Sequence, residues 1–489
     1  MKNRIIGLIL CVALLASGFA AHLFVRPEKL RVHQHLEAAD KAACTDHGSD
    51  VFCTHLPLIQ IETDEDIPGA PVLTETGHRT GYSTAKDGSD RIISTVKITD
   101  HQDTNNHLTD APTMESLATI HRHGHSSRYF DKPNYKIKLV DSEGNNNDQS
   151  VMGMAAHSEW ILHGPFLDKS LIRNYMWYNI GGEIMSYTPN VRFCELFLNG
   201  KYEGVYVMTE TITAGKNGAR LQLSVDKKDN TFSGYLLRMD RKSEDEIKNF
   251  TKYVRRMPSE RGINIEYPGA KNITPELTTQ ITKDFSAFEK SLYSYDFDSD
   301  EFGFKKTIDI DSFVDYFIIN EFTCNNDAGG FSTYIYKDKD GKYRMCIWDF
   351  NNACDNYQET AMKLDDFHLI GCLWFWMLVK NDDFTHRIID RYKTLRQGVL
   401  SDEYLNRYID DTLAYLGDAV DRNFERWGDS FHNDELLTPK ERNLHSHEEA
   451  VAQLKSFISA RAAFLDENID VLAQYSAESR IKKFVENAN

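Results

Sequence analysis

Two stretches, Asn320-Glu-Phe-Thr-Cys-Asn-Asn-Asp-Ala-Gly329 and Cys346-Ile-Trp-Asp-Phe-Asn351, set Asp327 and Asp349 22 residues apart. Between them, Tyr334-Ile-Tyr336 and Tyr343-Arg-Met-Cys-Ile-Trp348 flank the turn residues Asp338-Lys-Asp-Gly341. That pattern predicts two β-strands joined by a tight turn. A carboxylate just before such a hairpin and another just after it can converge at the mouth of one sheet. Phosphoryl transfer uses this layout, with one acid beside the attacking hydroxyl and one holding a divalent cation against the phosphates.

Outward from the hairpin the chain divides into two kinds of pattern. Upstream, strand signals run over 56–62, 92–99, 116–121 and Asn134–Val140, and 192–198 and 202–209 are joined by the hairpin dipeptide Asn199-Gly200. Within this half, 168–185 reads as a helix with Leu171, Tyr175, Tyr178 and Ile184 on its apolar face and Asp168-Lys-Ser170 at its start. Downstream, helical spacing dominates over 274–293, 310–320, 369–379, 383–398, 401–426 and 448–475. The charged stretch 240–271 reads as an insertion or exposed lobe. The predicted class is α+β, with a β-rich N-terminal part and a helical C-terminal part.

A chain of 489 residues is long enough for one large domain or two ordinary ones. Its 74 acidic against 56 basic side chains make a nucleic-acid backbone an unsuitable partner. Residues 1–25 carry Lys2 and Arg4 ahead of an apolar run that continues to Val25, and read as a signal peptide or a membrane anchor. Either places the globular part outside the cytoplasm, anchored or secreted. Residues 26–55 then read as a juxtamembrane linker, in which Cys44 and Cys53 could pair. Cys194, Cys324, Cys346, Cys354 and Cys372 lie in apolar sequence and read as buried thiols. The alternating His121, His123 and His125 read as a solvated set and not as a zinc site.

Several motifs occur in order. They are His121-Arg-His-Gly-His-Ser-Ser127 with Lys132-Pro-Asn-Tyr-Lys-Ile-Lys138; Trp160-Ile-Leu-His-Gly-Pro-Phe-Leu-Asp-Lys-Ser-Leu-Ile-Arg-Asn174; Glu195-Leu-Phe-Leu-Asn-Gly-Lys-Tyr-Glu-Gly-Val-Tyr206; and Trp348-Asp-Phe350. Together they resemble the CotH (spore coat protein H) kinase-like family over roughly 115–470. The resemblance implies an atypical protein-kinase-like fold over 115–475, after a β-rich region at 56–114 and before a tail at 476–489. It implies ATP and Mg²⁺ or Mn²⁺ as cofactors, and transfer of the γ-phosphoryl group to Ser or Thr of a protein substrate. In that reading Asp327 is the catalytic acid, Lys138 contacts the phosphates, and Asp349 is the metal ligand with Asp327 and Asn326 beside it. Lys136 lies two residues from Lys138 on the same strand face, so the two lysines are not separable by sequence. Arg122, Gly124, Ser126 and Ser127 would form the loop over the phosphates, and Glu210 would meet the adenine or ribose. Asn351 stands where an Asp-Phe-Gly motif has glycine, which argues against a freely mobile loop. The alternative is a catalytically inactive kinase-like surface or carbohydrate-associated binding protein, since fold alone does not establish chemistry. A glycoside hydrolase with paired carboxylates is a third reading.

Overall fold

The computed structural model describes residues 31–38, 41, 51–224, 234–339 and 341–476. The apolar segment 1–25, Cys44 and the tail therefore lie outside the described residues. Among the described residues no helix is long and apolar enough to cross a membrane.

Seven strands close into a barrel: β1 (Leu58–Thr63), β2 (Ile92–Thr99), β3 (Met114–His123), β4 (Asn134–Val140), β5 (Glu159–His163), β6 (Val191–Leu198) and β7 (Lys201–Glu210). Their order around it is β5-β7-β6-β1-β2-β3-β4, with β4 pairing back onto β5. All pairings are antiparallel except β6 with β1. Alternate side chains point inward, as strand geometry requires. Ile59, Ile61, Val96, Ile98, Ala118, Ile120, Ile137, Leu139, Trp160, Leu162, Tyr206 and Met208 fill the interior. The intervening residues of β4, Lys136 and Lys138, therefore stand on the outer face. Because β1 and β2 are staves of this barrel, the region 56–114 is structurally continuous with the strands after it.

A second sheet has the order β9-β8-β10-β11, formed by β8 (Tyr235–Arg241), β9 (Arg261–Tyr267), β10 (Thr333–Lys337) and β11 (Arg344–Cys346). The hairpin expected between the two aspartates is β10–β11, with Tyr334 opposite Cys346. The stretch expected as an exposed lobe instead supplies β9 and the segment leading to it. Its Ile263 is fully buried in the main core, which is what ties it to the sheet.

Around the barrel and this sheet pack α1 (Arg173–Ile184), α2 (Pro275–Tyr293), α3 (Ile310–Thr323), α4 (Asp382–Arg396), α5 (Asp402–Leu416), α6 (Ala419–Trp427) and α7 (His447–Asn468), with α6 lying against β7. The expected single helix over 401–426 is broken at Gly417, whose φ of +47° does not continue a right-handed helix. The expected helix over 369–379 is reduced to a 3-10 turn, Leu369–Gly371, and a short helix, Phe375–Leu378. Trp374, Phe375 and Leu378 are buried there without the length of a regular helix. Cys194, Cys324, Cys346 and Cys354 are buried and Cys372 is half-buried. Residues 31–38, expected as linker, lie against α1, β6 and α5 with Gln34–Glu37 as one helical turn.

Candidate active site

A cleft of about 960 Å³ runs between the outer face of the barrel and the second sheet. One wall carries His123, Asn134, Ile161, His163 and Thr209, and the other Arg238, Asp240 and Arg241. Asp327, Trp348, Asp349, Asn351 and Asn352 form its floor.

The two aspartates reach the floor by different local devices. Asp309 caps the start of α3 by accepting from Ser312 N at 3.2 Å. The helix ends where Cys324 turns left-handed at φ +46°, which sends the following turn, with Asp327, into the cleft. Asp349 itself sits at φ +59°, a left-handed conformation that few residues besides glycine, asparagine and aspartate adopt. It is held by α1: its N–H donates to Tyr178 Oη at 2.9 Å, and the Phe350 N–H donates to Asn174 Oδ1 at 2.7 Å. Phe350 is buried against Trp177 and Tyr178. The Asn351 side chain closes the loop, donating to Asp349 Oδ1 at 2.8 Å and accepting from Asn174 Nδ2 at 3.1 Å. No glycine could make those two bonds.

Electrostatically the floor is a strained acid pair. Burial, and then the neighbouring Asp327, push the Asp349 carboxyl up to about 6. Burial also raises Asp327, with Arg241 and the Asn352 amide pulling partly in the other direction. Asn352 Nδ2 donates to Asp327 Oδ2 at 3.1 Å. Among the described residues no group of three or more His, Cys, Asp or Glu is arranged to hold a metal ion. Mg²⁺ does not require one, because it keeps several waters and binds through one or two carboxylates together with substrate phosphates. A divalent cation would also relieve the repulsion between the two acids, so the donors present fit one.

The cationic side is less direct. Lys136 and Lys138 both pair with Glu159, at 3.1 and 3.4 Å. Burial pushes the Glu159 carboxyl up, but Lys136 and then Lys138 outweigh it and hold it below its ordinary range. The register sets Lys136 opposite Ile161, which lines the cleft, and Lys138 opposite Glu159, two residues farther along β4. That step is roughly 7 Å of strand. Lys136, not Lys138, is thus the nearer of the two to the cleft.

The loop after β3 covers one end of the cleft with Gly124, Ser126, Ser127 and Arg128. Gly124 has φ +99°, and a Cβ there would collide with Ser127 Oγ, so the loop needs glycine at this point. Five expected residues do not line the cleft: Lys136 and Lys138 stay on the outer face of the barrel in their pairs with Glu159, and Arg122, Glu210 and Asn326 are placed elsewhere. Arg122 falls on the opposite strand face from His123, and Arg128 takes its place at the cleft. Glu210 is buried and committed to Arg220 at 2.6 Å and to Asn190, because the chain beyond β7 turns inward. Asn326 is exposed and does not line the cleft, and Asn352 occupies the position beside Asp327.

Other cleft residues carry no signal in the motifs. Arg128 and the β8 residues Arg238, Asp240 and Arg241 depend on tertiary placement, which motif order does not convey. His163 lies inside a quoted motif, but its depressed pKa of about 4, caused chiefly by burial, is a tertiary property.

The chain matches the CotH kinase protein family over residues 120–465, most of its length. It belongs to the CotH kinase family. No curated protein matches it. The CotH match begins inside β3, so β1 and β2 precede it although the barrel closes through them.

Proposed function

We propose that this CotH kinase-family chain transfers the γ-phosphoryl group of ATP to a Ser or Thr hydroxyl of a protein substrate. The observation that supports the proposal is Asp327 and Asp349 together on the floor of one cleft, with Asp327 raising the Asp349 carboxyl and a lysine–glutamate pair on the neighbouring outer face of the barrel. In this reading Asp349 holds Mg²⁺ or Mn²⁺, with Asn351 fixing its carboxylate. Bound metal supplies charge neutralisation between the phosphates. Asp327 accepts the hydrogen bond of the attacking hydroxyl and orients it. Lys136, held by Glu159, and Arg128 face the phosphates, and the loop around Gly124 to Ser127 excludes water from them. An inactive binding protein would have no use for this acid pair.

The test is incubation of the protein with labelled ATP and a Ser/Thr-rich acceptor, with and without Mn²⁺. Metal-dependent label should appear and should fall at least about a hundredfold in Asp327→Ala. In the same assay Lys136→Ala should raise the KM for ATP more than Lys138→Ala does. Absence of transfer to any acceptor, with nucleotide still bound, would favour the inactive binding reading.

We further propose that the N-terminal apolar segment holds the domain outside the cytoplasm, anchored in a membrane or secreted. The motivation is the charged start and apolar run of residues 1–25. Recovery of the unshortened protein in the cytosolic fraction after lysis would defeat this placement.

A further inference from the structure

The segment 31–37 makes more specific contacts than a tether needs. Arg31 donates from Nε to Asn179 Oδ1 at 3.2 Å, and from its other nitrogens to the carbonyls of Thr188 at 3.0 Å and Pro189 at 2.5 Å. His33 lies between Glu183, at 2.8 Å, and Tyr408 Oη, at 3.1 Å. Gln34 brackets the backbone of Phe193 on β6, donating to its carbonyl at 3.2 Å and accepting from its N–H at 2.7 Å. His35 meets Tyr175 Oη through its backbone N–H at 3.2 Å and its Nδ1 at 2.9 Å. Three of these partners, Tyr175, Asn179 and Glu183, succeed one another at helical spacing on α1.

The adjoining face of α1 holds the Asp349 loop through Asn174 and Tyr178. One turn further along α1 lies Gly181-Gly182, an unfavourable pair inside a helix. Both positions are closely approached. A Cβ on Gly181 would collide with Ile347 Cδ1, two residues before Asp349, and a Cβ on Gly182 would meet Arg31 Cδ and Nε at 2.7 Å. Arg31 and the strand leading to Asp349 thus both pack tightly against α1, on adjoining faces.

We infer that residues 31–37 form a strap that seats α1 against the Asp349 loop, so that docking of the N-terminal segment sets the order of the catalytic floor. Arg31, Gln34 and His35 are positioning residues in this device, and Gly182 is the space that admits Arg31. The strap makes the floor sensitive to whatever engages the chain just after its apolar segment.

Amide hydrogen exchange of the full chain tests this without reference to phosphoryl transfer. In both Arg31→Ala and Gly182→Ala, amides within 346–354 should exchange about tenfold faster or more, while Ile92–Thr99 and Met114–His123 in the barrel stay at the wild-type rate. Gly182→Ala is the sharper variant, because alanine favours helix and acts only by displacing the Arg31 guanidinium. Wild-type exchange over 346–354 in either variant, with only 31–37 opened, overturns the inference. Faster exchange throughout the molecule overturns it too, since the strap would then be a general stabiliser. If 346–354 responds as expected while no variant or wild-type protein transfers phosphate, the strap stands and the kinase reading falls.

Discussion

Asp349→Asn should abolish metal-dependent ATP turnover and, at the same time, make the unliganded protein more stable at neutral pH. The loss of activity should exceed about a hundredfold, because the amide cannot bind a divalent cation as the carboxylate does. The gain in stability comes from the acid pair. Burial and Asp327 raise the Asp349 carboxyl from its ordinary 3.8 to about 6, so the ionised form is disfavoured in the folded protein. A shift of that size corresponds to roughly 1–3 kcal/mol that the neutral amide recovers. Asparagine is the right replacement because it tolerates the φ of +59° and keeps the oxygen that Asn351 bonds. Alanine would add backbone strain and blur the result. Thermal melting of both proteins in a metal-free buffer checks the stability half, and a lower melting temperature for the asparagine variant would refute the account of a strained pair.

The same shift sets a pH dependence. A carboxyl whose folded pKa lies above its unfolded one keeps its proton longer when folded. Its contribution to stability is therefore fully present below its ordinary 3.8 and is lost as pH rises through about 6, where Asp349 ionises. Metal binding runs in the opposite direction, since the cation needs the ionised carboxylate. Mn²⁺ affinity should weaken as pH falls below that point, by up to about tenfold per pH unit if one proton is exchanged. Titration calorimetry with Mn²⁺ across this range checks the slope.

Sequence separation decides which features are legible in the chain itself. The β10–β11 hairpin is legible because its strands and turn are adjacent, and both aspartates flank it as expected. Barrel closure is not, because it depends on β6 pairing in parallel with β1, with Glu195 opposite Leu58 across a long stretch of intervening chain. Register orders Lys136 and Lys138, since alternate strand positions share a face and only the neighbour on β5 shows that Lys136 stands nearer the cleft-lining Ile161. Glu210 illustrates the opposite failure. A strand-end glutamate suits a nucleotide contact, yet burial beside Arg220 commits it to the fold. Asn351 stands out in the sequence as a departure from glycine, but its role as the brace between Asn174 and Asp349 requires the helix in place.

The second large effect concerns Arg173, whose replacement by alanine should cost about 3–5 kcal/mol of stability and most of the activity. The guanidinium is 2% exposed, pairs with Asp168 at 2.5 Å, and donates to the Ala353 carbonyl at 3.1 Å and to Gln453 Oε1 at 2.6 Å. It thereby joins the start of α1 to the chain just beyond Asp349 and to α7. Removing it leaves the Asp168 carboxylate buried, still accepting from Ser170 and the Arg173 backbone N–H but without its counter-charge. A double variant, Asp168→Asn with Arg173→Met, removes both charges while conserving volume, and should recover much of the stability lost by Arg173→Ala. It should not recover activity, because methionine cannot hold the Ala353 carbonyl. Urea unfolding and ATP turnover on the three proteins separate these effects. Recovery of turnover alongside stability in the double variant would mean that Arg173 serves packing alone and that Asn174 and Tyr178 suffice to place Asp349.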